Sequence, residues 1–279
     1  MSGVRVVADT ASDLPPELAG NHHIDLVPLT VRFGSEELVD RRDLSPADFW
    51  RRLATSSVLP ETAAPSPGAF EEAFRRAADD GAEGVVCVTI SSALSATYES
   101  ARLAAGAVAD TVEVRVVDSR AVSMAEGTVA IAAAEAAAAG KGLDDVVGAA
   151  EAMVPRTRTF AALDTLDNLR KGGRIGAAQA LLGSMLSIKP IIEVTDGKVE
   201  PESKQRTRGK SLRYLADKVH QAGSVEHLTV LHGGAPDLDV LLDLLADAHP
   251  RDQIAVADVG AVIGTHAGPR VIGVTFAVP

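Results

Sequence analysis

Apolar positions fall into short β-branched runs separated by longer, alanine-rich stretches. Residues 4–8, 24–33, 85–90 and 112–117 read as strands because each is a brief apolar run bounded by polar or turn-forming residues. Between them, 14–19, 46–53, 67–79, 95–105, 125–139 and 143–153 read as helices. Ser45-Pro46 and Ser66-Pro67 each offer a cap followed by proline at the first helical position, and Ser12-Asp13 offers a cap for the first helix. Strands alternating with helices predict βαβ units and a parallel sheet.

The second half has a different texture. Residues 159–163, 227–231, 254–259 and 271–278 read as strands. A hairpin over 189–199 turns at Asp196-Gly197. Residues 164–170, 177–186, 211–221 and 237–248 read as helices, and Lys171-Gly-Gly-Arg174 breaks the first of these. The predicted fold class is α/β and two-lobed: an N-terminal parallel-sheet lobe over 1–158, a smaller α+β lobe over 159–279, and a cleft between them that holds the ligand.

Composition narrows the partners. Of 279 residues 46% are hydrophobic but only 3% aromatic, so the core is aliphatic and single-stranded nucleic acid has little to stack on. The net charge of −11 also argues against a phosphate backbone as partner. Cys87, the one cysteine, lies inside a predicted strand and reads as a small core residue, which excludes an intrachain disulfide and cysteine-based zinc sites. The alanine-rich stretch after Gly127 is interrupted by Glu135 and is too short to span a membrane, and the N-terminus lacks a secretory apolar segment. A cytoplasmic monomer without cofactor or metal is expected.

Candidate chemistry concentrates in four places. Ser91, Ser92, Ser95 and Thr97 crowd the end of the third strand, where backbone N–H groups and a helix N-terminus favour an anion. Thr62-Ala-Ala-Pro-Ser66 is a polar loop before a helix. Lys171-Gly-Gly-Arg174 joins two cations to flexible backbone. His266 lies in an apparent turn, Ile263-Gly-Thr-His-Ala-Gly-Pro269, between apolar runs. Each has a plainer reading: Thr62 and Ser66 as caps, 171–174 as a helix end, His266 bonded to a neighbouring carbonyl, and Asp9 and Asp118 fixing turns at strand ends. The cations from Lys204 through Arg206 and Arg208 to Lys210 read either as a solvated loop or as a docking spot for phosphate or an acidic partner. There is no phosphate-binding P-loop, no Gly-x-Ser-x-Gly elbow, no His-Glu-x-x-His and no dinucleotide fingerprint after the first strand.

Taken in order, several segments resemble the DegV family of bacterial fatty-acid-binding proteins. They are Asp9-Thr-Ala-Ser-Asp13; Thr62 with Pro65-Ser66; Ser91-Ser-Ala-Leu-Ser-Ala-Thr-Tyr98; Val117-Asp-Ser119; Leu163-Asp-Thr-Leu166 on to Lys171-Gly-Gly-Arg174; Ser187-Ile-Lys-Pro190; Arg206-Thr-Arg208; and Gly264-Thr-His-Ala-Gly-Pro269. The resemblance implies a non-enzymatic carrier holding one long-chain fatty acid, such as palmitate. The carboxylate would be presented to a separate ATP-dependent fatty acid kinase subunit. It implies Thr62 and Ser95 as carboxylate ligands, with Ser92, Ala96 and His266 beside them, and Arg174, Arg206 and Arg208 facing the partner or phosphate. Ala63-Ala64, Ala96 and Arg270 depart from the family pattern, which has Ser-Gln, glycine and glycine there. Two other readings stay open: a serine-dependent acyl hydrolase or thioesterase using Ser95 and His266, and a small-anion sensor without a deep apolar tunnel.

Overall fold

The computed structural model describes residues 3–181 and 188–279. The N-terminal lobe runs β1 (Val4–Asp9), α1 (Pro16–Asn21), β2 (Ile24–Val27), β3 (Thr30–Phe33), β4 (Glu36–Val39), α2 (Pro46–Thr55), β5 (Glu61–Ala63), α3 (Pro67–Asp79), β6 (Gly84–Thr89), α4 (Thr97–Ala107), β7 (Glu113–Asp118), α5 (Met124–Ala138) and α6 (Leu143–Met153). The C-terminal lobe continues β8 (Thr157–Ala162), α7 (Asp167–Lys171), β9 (Lys189–Thr195), β10 (Lys198–Gln205), α8 (Arg208–Ala222), β11 (Glu226–His232), α9 (Leu238–Leu245), β12 (Ala255–Asp258), α10 (Ala261–Ala267) and β13 (Ile272–Ala277).

A parallel sheet of order β2-β1-β6-β7 builds the first lobe, and a six-stranded, largely antiparallel sheet of order β10-β9-β8-β13-β11-β12 builds the second. Helix α5 packs between them, touching β1 and β6 on one side and β8, β11 and β13 on the other. That position explains a helix apolar nearly all round, buried from Met124 to Ile131 and exposed only toward its C-terminal end, at Glu135 and Ala138. The predicted hairpin is present: Asp196 (φ 48°) and Gly197 (φ 75°) both take the left-handed conformation of a tight two-residue turn.

Four expectations need correction. The run 24–33 is two strands, broken at Pro28-Leu29, that enter different sheets. A third sheet, β4-β3-β5, carries Thr62 on a strand paired to Val31 rather than on a loop. Asp13 does not cap the first helix, which begins at Pro16 with Pro15 ahead of it. The helix expected over 177–186 is a 3-10 turn over Gly176–Leu181; its remainder, and Ser187, lie outside the described residues.

His266 sits on α10, where a turn was expected. The helix approaches α2 closely because Gly264 has no side chain: a methyl there would come within 2.6 Å of Phe49 and 2.8 Å of Trp50. The Trp50 indole N–H donates to the Val259 carbonyl at 3.0 Å and fixes the same junction. Gly264→Ala is expected to cost about 1–3 kcal/mol by overpacking, read as a lower urea midpoint with an unchanged m-value.

Candidate functional site

Between the lobes lies a cavity with about 180 Å3 of water-accessible space. Leu29, Ile90 and Val122 line it from the first lobe, and Ile192, Leu231 and Val262 from the second. Among the described residues no phenylalanine, tyrosine or tryptophan lines it. Aliphatic walls of this kind shed water readily and make no directional demand on an occupant.

Polar groups gather at one edge. Thr62 Oγ1 and His266 Nε2 are 2.9 Å apart, joining the small sheet to α10. The imidazole packs on Gly172, and its Nδ1 is buried without a partner among the described residues. Burial, reinforced by the nearby Arg174 guanidinium, pushes the His266 pKa down to about 4, so the ring is neutral at neutral pH. Arg174 donates from Nε to the Leu94 carbonyl (3.2 Å) and from Nη1 to the Gly172 carbonyl (2.7 Å). It thereby links the segment after β6 to the turn after α7 and turns a cation toward the cavity. That turn closes with Gly173 at φ 71°, so residues 171–174 act as a helix end and as a site element together.

Ser95 and Ala96 also line the cavity. The Ser95 hydroxyl lies 2.8 Å from the Thr97 hydroxyl and accepts from the Thr97 N–H at 3.3 Å, at the start of α4. Ala96 has φ −75°, ordinary for any L-residue, so alanine in place of the family's glycine carries no backbone strain. Arg270 does: it holds φ 59°, a conformation that favours glycine. Its guanidinium compensates by bonding Asp164 (Nε at 2.7 Å, Nη2 at 2.6 Å). Burial alone would raise the Asp164 pKa, but Lys189 and Arg270 hold it below the usual carboxylate range.

The remaining expected residues stand apart. Ser92 is exposed and does not line the cavity; its hydroxyl donates to Asp118 at 2.5 Å. Asp118 also accepts the Arg120 N–H, which is the turn-fixing role expected of it. Arg206 is exposed beyond β10. Arg208 opens α8 behind the Thr207 cap and makes a two-pronged bond to Asp237 at 2.7 and 2.9 Å, so it belongs to an ion-pair network rather than to a solvated loop. Ser66 caps α3. Ser123, which sequence reasoning passed over, lines the cavity and donates to the buried Asp13. Its positive φ of 55° had no signature in the residue type. Among the described residues no cluster of histidine, cysteine or acidic groups suits a metal ion, and no helix is long and apolar enough to cross a membrane.

Fold and site together define a two-lobed α/β protein with an aliphatic cavity between the lobes and a small polar edge. The chain belongs to the DegV family: the family model described as "Uncharacterised protein, DegV family" matches residues 3–278. A DegV domain-containing protein of Streptomyces coelicolor is 40% identical over 277 residues, covering 97% of each chain. One from Mycobacterium tuberculosis is 39% identical over 276 residues, covering 97% of this chain and 96% of its own. Among solved structures, a fatty-acid-binding DegV family protein from Thermus thermophilus matches with TM-score 0.89 and 30% identity over 99% of both chains. DegV of Bacillus subtilis, described as a fatty acid binding protein, matches with TM-score 0.87 and 27% identity over 100% of both.

Proposed function

We propose that this protein binds a long-chain fatty acid with its acyl chain in the aliphatic cavity and its carboxylate at the polar edge, and presents that carboxylate to a separate ATP-dependent kinase subunit for phosphorylation. The observation that carries the reading is the grouping of Thr62, His266, Arg174 and Ser95 on a cavity whose walls are mostly aliphatic. Each buried methylene contributes roughly 0.8 kcal/mol, so the chain supplies most of the affinity. The head group needs donors when it leaves water, and the two hydroxyls and the guanidinium are donors. Neutral His266, bonded to Thr62, leaves the threonine hydroxyl hydrogen free for the carboxylate when Nε2 is the protonated nitrogen. The fatty-acid-binding relatives from Thermus thermophilus and Bacillus subtilis support the fatty-acid-binding part of this reading.

The contacts weigh against the hydrolase alternative. The Ser95 hydroxyl bonds Thr97 rather than His266, and among the described residues no carboxylate orients the imidazole. The test is mass spectrometry of an organic extract of the purified protein, in which a stoichiometric fatty acid is expected. Its absence, together with failure to take up added palmitate, overturns the reading. Thr62→Val, which keeps shape and removes the hydroxyl, is expected to weaken binding about tenfold, the worth of one hydrogen bond to a charged group. For presentation, acyl phosphate is expected from ATP only when the kinase subunit is added.

A further inference from the structure

Behind the cavity wall lies a group of acids that the proposed site does not use. Asp9, Asp13, Asp40 and Glu126 are all buried, at 1% exposure or less. One guanidinium, Arg41, reaches them, with Nη2 3.6 Å from Asp13. Among the described residues these side chains do not converge to hold a metal ion. Four buried carboxylates and one cation are not a stable charge set, so protons must supply the balance. Among the described residues Glu126 accepts from no N–H or hydroxyl donor and faces the Asp9 carboxyl, a contact that attracts only when the two share a proton.

Asp13 occupies the decisive place in this group. Its Oδ2 accepts the Ser123 hydroxyl at 2.6 Å, and its Oδ1 accepts the Gly260 N–H at 2.8 Å across 247 residues of chain. Ser123 precedes α5 and Gly260 precedes α10, the helix that carries His266. Ser123, Val122, Val259 and Val262 all line the cavity. One carboxyl group therefore fastens walls from both lobes.

We propose that Asp13 is a positioning residue whose proton sets how firmly the cavity wall is held, the fastening loosening as the proton is lost. The protonated acid keeps every contact: one oxygen still accepts from Gly260, and the other donates to a Ser123 hydroxyl that has turned round. The ionised acid keeps the contacts but is held away from water, with Asp40 beside Arg41 on the loop after β4 as a like charge and the Asp9–Glu126 pair, at the end of β1 and on α5, in the same group. Cys87 of β6 and Asp118 of β7 face the same acids. Burial pushes the Asp13 pKa up to about 7 against the countering Arg41, whereas an opened wall would expose it to water and restore the ordinary value. The closed wall thus holds the proton more tightly, and rising pH favours the open one. His266, with its pKa near 4, does not titrate in this range.

The test is amide hydrogen exchange of the protein without lipid, corrected for intrinsic rates, over residues 260–267 and 123–128. Protection is expected to fall about tenfold between pH 6 and pH 8.5. Asp13→Asn mimics the protonated acid, donating to Ser123 and accepting from Gly260, and is expected to keep high protection at both pH values. Asp40→Asn removes the like charge that faces Asp13 and is expected to move the fall to lower pH, which tests the idea even where the Asp13 variant folds poorly. Wild-type protection independent of pH, or an undiminished fall in Asp13→Asn, overturns the proposal. Its consequence, faster lipid exchange at higher pH, rests on the function proposed above. The exchange measurement needs no lipid, so failure of either idea is distinguishable from failure of the other.

Discussion

Ala161→Phe is expected to remove most lipid uptake while leaving the protein folded. Ala161 lies on β8 opposite Ile192 of β9 and Gly273 of β13, and all three line the cavity. Its neighbour Ala162 belongs to the separate core under α8, so the strand alternation directs position 161 into the cavity and 162 away from it. A phenyl ring at 161 fills space that about four methylenes of an acyl chain would use. At roughly 0.8 kcal/mol each, that loss is about 3 kcal/mol, or about two-hundredfold in affinity. The ring enters existing space and buries apolar surface, so the urea midpoint is expected to change little. Titration with a fluorescent fatty acid reads the first effect and denaturation the second. Wild-type affinity in the variant would place the acyl chain elsewhere. Ala63→Phe, on the exposed side of β5, is the matched control and is expected to bind normally.

Much of this arrangement is written in local pattern, and what is not has identifiable physical reasons. The strand after Gly84 is legible because six consecutive residues are buried on both faces of a parallel sheet. The Asp196-Gly197 turn is legible because those residues tolerate positive φ. Strands β4 and β5 escape notice because Glu36-Glu-Leu-Val39 and Glu61-Thr-Ala63 form the two edges of a small exposed sheet, where little burial disciplines the pattern. Helix α10 escapes because glycines before, inside and after it read as loop. Gly264 is there for close packing on Phe49 and Trp50, a tertiary demand that no window of sequence contains.

The site divides the same way. Thr62, Ser95, Arg174 and His266 are suggested by family resemblance and lie together on the cavity. Ser92 is displaced from it because Asp118, 26 residues away, claims its hydroxyl. Glu126 could not have been singled out: an acid in an alanine-rich helix ordinarily marks the wet face, as the exposed Glu135 does, whereas sheets from both lobes bury the first half of α5, where Glu126 lies.

The same acids make stability fall as pH rises toward neutrality, the reverse of a protein held by paired carboxylates. In the folded protein burial raises the pKa of Asp13 to about 7 and of Asp9 to about 6, raises that of Asp40, and raises that of Glu126 well above its ordinary value. For an acid whose folded pKa is raised, the folded state holds the proton longer than the unfolded chain does. Its contribution is full below the unfolded value and is lost as pH climbs through the folded one, here between about pH 4 and pH 7. Acids whose pKa is lowered work in the opposite sense, but lower down. Asp164 and Asp237, held by Lys189, Arg270 and Arg208, stabilise above the ordinary carboxylate range and fail only on further acidification. The net charge of −11 adds self-repulsion at the alkaline end. Maximum stability is therefore expected near pH 5. Asp13 alone accounts for about 2 kcal/mol of loss between pH 5.5 and pH 8, a large share of a typical folding free energy. Asp13→Asn should gain about 2–4 kcal/mol at pH 8 and flatten the profile, because the amide keeps both bonds without a buried charge. Urea denaturation at several pH values decides the matter. A wild-type midpoint that rises from pH 5.5 to pH 8 would mean that these carboxylates are ionised and paired in the folded protein, and would remove the basis for proton control of the cavity wall.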